Sequence, residues 1–77
     1  MTDWNTHYKR VRAALRLSYP EVVEVCRLGG LTITRSRAEG WNRGRADARR
    51  YVAMIENDFN AFTAGLHEWA KTNIQDD

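Results

Sequence analysis

The chain is poor in the residues that most often carry chemistry. It holds one cysteine and two histidines in 77 residues. A lone cysteine closes no internal disulfide, so the fold is not held together covalently. Cys26 sits among apolar helical neighbours with no histidine nearby, which reads as a buried structural thiol rather than a nucleophile. His7 and His67 are far apart and show no CxxC or HxxxH spacing, so no metal site is expected. No glycine-rich phosphate loop is present: Gly29-Gly30 runs into Leu-Thr-Ile without the lysine of a P-loop. No pair of carboxylates stands out for acid–base work. With so thin an inventory the chain is not expected to be an enzyme, and no cofactor is expected.

Long apolar runs are missing too. None approaches about 18 residues, and no charged-then-apolar leader opens the chain, so neither membrane insertion nor secretion is expected. A soluble cytoplasmic protein of bacterial or phage origin is the expectation. Hydrophobic residues at 43% and charged residues at 29% are ordinary globular usage, which excludes a fibre or a disordered tail. The length allows a single domain over 1–77. A domain of about 60 residues buries only about 60% of its unfolded surface, so the core has little margin.

What is abundant is arginine, in one region. Eleven of the twelve basic residues fall between Lys9 and Arg50, and ten of those eleven are arginine. Only Glu21, Glu24, Glu39 and Asp47 oppose them there. From Tyr51 onward the balance reverses, with Glu56, Asp58, Glu68, Asp76 and Asp77 against Lys71. Arginine presents a planar fork suited to phosphate or carboxylate. The basic middle is therefore either a surface for a polyanion or an acidic partner, or simply a solvated face.

The periodicity predicts an all-α fold of four helices. Trp4, Tyr8, Val11 and Leu15 mark one face of a helix over about 4–17, with Asp3 or Thr2 as its cap. Ser18-Tyr19-Pro20-Glu21 has the form of a capping box and opens a second helix over 19–28, closed by Gly29-Gly30. Leu31-Thr32-Ile33 is a short extended link. Thr34 caps a third helix over about 35–42, anchored by Ala38 and Trp41. Gly40 within it costs about 1 kcal/mol relative to alanine. Val52, Ile55, Phe59, Phe62, Leu66 and Trp69 then repeat at alternating spacings of three and four, which predicts one long helix over about 47–73. Such a helix would be about 40 Å long at 1.5 Å per residue, too long for one small core to cover. The last residues are expected to fray.

The second and third helices form a helix-turn-helix-like pair. A recognition helix needs small polar and basic residues at its start. Here those are Thr34, Arg35, Ser36 and Arg37, with Arg43, Arg45, Arg49 and Arg50 following as phosphate clamps. The link over 29–33 is longer than the usual turn, and Ser36 falls where an apolar residue is common. The leading expectation is a DNA-binding protein of the transcriptional-regulator kind. The competing one is a non-enzymatic protein-binding module, such as a phage or mobile-element inhibitor of a host complex, in which exposed aromatics and arginines are hot spots.

Arg10-x-Arg12-x-Ala14-Leu15-x-Leu17, Val23-Glu24-Val25, Leu28-Gly29-Gly30-Leu31-x-Ile33-Thr34, Trp41, and Phe59 to Leu66 together resemble the bacterial YehS-like domain of unknown function. The resemblance spans about residues 5–70, and its most specific parts are L-G-G…Trp and F-x-x-G-L. Asn42-Arg43-Gly44-Arg45 stands where that family has an acidic run, and Arg37 where it tends to have glutamate. That family has no established activity. Its members carry two copies of the unit, and this chain has one. The resemblance thus implies a homodimer, with Phe59, Phe62, Leu66 and Trp69 as its interface.

Overall fold

The computed structural model describes residues 3–73. They form an all-α domain of four helices, with no strand among the described residues: α1 (Trp4–Leu15), α2 (Tyr19–Leu28), α3 (Arg35–Asn42) and α4 (Glu56–Asn73). None is long and apolar enough to cross a membrane. Thr2, Asp76 and Asp77 lie outside the described residues.

Local signals set most boundaries. Asp3 holds the N-cap position of α1, but its carboxylate accepts the Thr6 hydroxyl (2.8 Å) instead of a backbone N–H. The helix ends at Leu15, the last residue of the apolar period, two residues short of the predicted range of about 4–17. Arg16 takes a left-handed conformation (φ 54°), and that turn sends Leu17 into the core. The capping box of α2 forms in full: Glu21 N–H donates to Ser18 Oγ at 3.2 Å and Ser18 N–H to Glu21 Oε1 at 2.8 Å. Gly30, at φ +90°, ends it as only glycine does without strain. Thr34 Oγ1 caps α3 by accepting the Arg37 N–H at 3.2 Å.

The predicted helix over 47–73 is corrected. Helix α4 begins at Glu56, and between α3 and α4 lie a turn at 45–46 and a return segment over 48–55, which opens on a turn at 48–50 and continues without regular structure over 51–55. The start of α4 is fixed by Asp58, which accepts the Ile55 N–H at 3.1 Å, and the acids Glu56 and Asp58 suit the positive end of a helix. Val52 and Ile55 therefore belong to the return segment and not to a helical seam, and Ile55 is exposed. The eighteen residues of α4 span about 27 Å at 1.5 Å per residue, short enough for this domain's own core to cover.

The core joins all four helices. Tyr8, Trp41 and Phe62 are fully buried and meet edge to face, with ring centroids 5.4 Å and 5.2 Å from Tyr8. Such pairs add about 0.5–1.5 kcal/mol each beyond area burial. The Tyr8 hydroxyl donates to Ala38 O at 2.9 Å, so α1 is tied to α3 through the centre.

Helices α2 and α4 cross in backbone contact. A Cβ placed on Gly29 would lie 1.8 Å from Ala61 O, and one on Gly65 would lie 1.8 Å from Val25 O. The two glycines thus clear the same crossing from opposite sides. They belong to the L-G-G and F-x-x-G-L stretches of the sequence.

Burial raises the pKa of two core groups. The Cys26 thiol is pushed up to about 12, mainly by desolvation and then by the charge of Asp58. The Tyr8 phenol is also pushed up by desolvation. Each folded value lies above the ordinary one, 9.0 for the thiol and 10.0 for the phenol, and each group is neutral when protonated. Their contribution is complete below pH 9 and is lost as pH rises towards the folded values. The urea midpoint, followed by circular dichroism, is expected to hold steady from pH 7 to about 9 and to fall beyond it. A midpoint unchanged at about pH 11 would contradict this burial.

Candidate nucleic-acid interface

Gly40 lets the return segment lie directly on α3. A Cβ there would meet Val52 Cγ2 at 2.5 Å and Arg50 O at 2.8 Å. Instead Val52 N–H donates to Gly40 O at 3.0 Å. The glycine that weakens α3 by propensity is what allows this approach.

On its other side the return segment is held by Asn5, a buried side chain on α1. Asn5 Nδ2 donates to Trp41 O and to Val52 O, each at 2.9 Å. Asn5 Oδ1 accepts the Met54 N–H at 2.9 Å and the Tyr51 hydroxyl at 3.2 Å. Two donors and two acceptors are the full capacity of an amide, and all four are used.

Between α3 and the return segment lies an open groove of about 710 Å³. Arg37 and Arg43 line it from α3 and its C-terminal cap, and Arg49 and Arg50 line it from the return segment. Thr34 and Ser36 add hydroxyls, and Glu39 supplies its one carboxylate. Six of the eight residues expected to contact nucleic acid are thus brought to one recess.

Arg35 and Arg45 are not part of its wall. Arg35 turns along the helix to Glu39, at 3.2 Å. Arg45 lies at the Tyr51 hydroxyl and near Asp3, and these two neighbours raise its pKa.

Within the groove the guanidiniums differ. Arg37 Nη2 stands 3.7 Å from Asp58 Oδ2, whose side chain is only 6% exposed, and Arg37 Cζ lies 5.7 Å from the Trp41 ring centroid. Arg37 is therefore held from below. Arg43 pairs loosely with Asp47 at 3.8 Å. Among the described residues Arg49 and Arg50 face no carboxylate within 4 Å.

The four residues expected at a dimer face differ in exposure. Phe62 is fully buried, so it presents nothing to a second chain. Phe59, Leu66 and Trp69 are half-buried and pack on the domain's own core, with the Phe59 and Trp4 rings 5.2 Å apart. The apolar face of α4 is the inner wall of this domain.

Asn5 and Asp58 were not singled out by sequence reading. Each carried a signal: a short polar residue standing within an apolar helical stripe, Asn5 beside Trp4 and Tyr8, and Asp58 beside Ile55 and Phe59.

Cys26 is fully buried with its pKa raised, the reverse of an activated thiolate. Among the described residues no three His, Cys, Asp or Glu side chains gather as a metal site would need. Comparison with protein families, curated proteins and solved structures finds no match for this chain. The resemblance to the YehS-like domain therefore stands on the quoted residues alone.

Proposed function

We propose that this chain is a small DNA-binding protein that holds the duplex in its arginine groove. The observation that carries the reading is the convergence of Arg37, Arg43, Arg49 and Arg50 on one recess that contains a single carboxylate. Arg49 and Arg50 have no carboxylate within 4 Å among the described residues, and arginine's fork matches phosphate. The Thr34 and Ser36 hydroxyls supply further phosphate donors. Helix α3 and the link that precedes it set one wall of the groove.

Fluorescence anisotropy with a labelled mixed-sequence duplex at about 50 mM salt tests the reading. The wild-type chain is expected to bind in the micromolar range or tighter, since even non-specific binding is favoured at low salt. Arg49→Ala with Arg50→Ala is expected to weaken binding about tenfold, and to lower the slope of log affinity against log salt by about 1.8. Both side chains are exposed, so the helical circular dichroism should not change. Arg35→Ala, outside the groove, should bind nearly as the wild type does. No binding at about 50 mM salt would contradict the proposal.

A further inference from the structure

The shape and occupancy of the groove speak to what part of the DNA it holds. We infer that it grips the phosphodiester backbone of duplex DNA without reading base sequence; this rests on the DNA-binding reading above. Three observations carry it.

The first is concavity. To read bases, a helix must project into a major groove about 12 Å wide. Helix α3 does not project on this side. The return segment lies against it at Gly40, and Arg49 and Arg50 rise as a second wall. A recess between two walls receives a ridge, and the ridge of a duplex is its sugar–phosphate backbone.

The second is that the start of α3 is occupied by its own fold. Thr34 Oγ1 caps the Arg37 N–H. Arg37 is held towards Asp58 and the Trp41 ring. Arg35 lies along Glu39, outside the recess. Ser36 remains, and one short hydroxyl discriminates poorly among bases.

The third is the chemistry of the lining. Its polar groups are guanidiniums, hydroxyls and the Glu39 carboxylate, with Ile33 and Val52 between them, and no aromatic ring is among the described residues that form it. Sequence-tolerant capture of single strands relies on bases stacking on aromatic side chains. The three tryptophans are placed elsewhere: Trp41 is fully buried, and Trp4 and Trp69 pack on the core. A backbone grip on the duplex is the mode these groups serve.

The test is a selection from a pool of randomised 20-base-pair duplexes, followed by titration of about ten recovered and ten unselected sequences. Each is measured between 50 and 200 mM salt, beside a single strand of matched length. The recovered pool is expected to keep its input composition, with affinities spread over no more than about threefold. The salt slope is expected near 3, from about 0.9 for each phosphate held by Arg43, Arg49 and Arg50, and the same for every sequence. An enriched motif bound more than about thirtyfold better than the pool would overturn the inference and leave DNA binding standing. Tighter binding to the single strand than to the duplex would also overturn it. Absence of binding to any duplex at 50 mM salt would remove the DNA-binding reading itself.

Discussion

Gly65→Ala is expected to lower the thermal midpoint by about 8–16 °C, from a net cost of about 2 kcal/mol. Gly65 lies well inside α4, where helix propensity alone makes alanine better than glycine by about 1 kcal/mol. The crossing with α2 reverses that sign. The new methyl would sit 1.8 Å from Val25 O and 3.0 Å from Gly29 N. These are backbone atoms, so no side chain can swing aside, and α2 and α4 must separate. Overpacking of this kind costs about 3 kcal/mol, the upper end of its usual range. In a domain of this size each kcal/mol moves the midpoint by about 4–8 °C. Gly29→Ala should behave alike, because its methyl would meet Ala61 O at the same distance. A raised midpoint for either variant, measured by circular dichroism, would show that the helices do not cross in backbone contact.

Asn5→Ala should be at least as damaging, by a different route. It removes four hydrogen bonds and leaves the Trp41 and Val52 carbonyls and the Met54 N–H without their partner. Buried groups left unpaired cost about 1–3 kcal/mol each, tempered where water can enter, so a loss of about 2–4 kcal/mol is expected. The variant should also loosen the return segment under conditions where the helices persist. Trypsin reports this directly, because Arg49 and Arg50 lie in that segment and are exposed. Cleavage after them is expected to rise well beyond the wild-type rate at equal helicity. Asn5→Asp offers a sharper comparison: it keeps an acceptor for Met54 but sets a carboxylate against two carbonyl oxygens, and should be no more stable than alanine. An Asn5→Ala chain with wild-type stability and unchanged cleavage would show that the amide does not hold the segment.

These two variants mark where sequence reading succeeds and where it stops. Helices α2 and α3 are legible because their boundaries are local. Ser18 and Glu21 cap each other three residues apart, and Thr34 caps Arg37 in the same way. The start of α4 is not local. The period of three and four through Val52 and Ile55 looks helical, yet those residues are drawn out along α3 by Gly40 and by Asn5, which lies 47 positions from Val52. Periodicity carries no information about a contact at that separation. The surplus apolar seam disappears with the surplus length, since Phe59, Phe62, Leu66 and Trp69 cover the core of their own chain.

The arginines divide by the same logic. Composition shows that they cluster in the middle of the chain, but not which of them share a surface. Arg49 and Arg50 join Arg37 and Arg43 only because the return segment folds back at Gly40. Arg45, equally basic and nearer in sequence to α3, is turned towards Asp3 and Tyr51. The glycine and the asparagine that build the groove are thus far from the arginines in chemical character. Their absence would scatter the charge without changing it.

The most direct test is to map the arginine signals during a titration with DNA. With side-chain Nε–Hε resonances assigned, a mixed-sequence duplex is added at about 50 mM salt. The resonances of Arg37, Arg43, Arg49 and Arg50 are expected to shift together and saturably, with the backbone amides of residues 34–37 and 49–52, while Arg10, Arg27 and the amides of α4 stay in place. Shifts centred on α1 or α4, with the four groove arginines unmoved, would contradict the account.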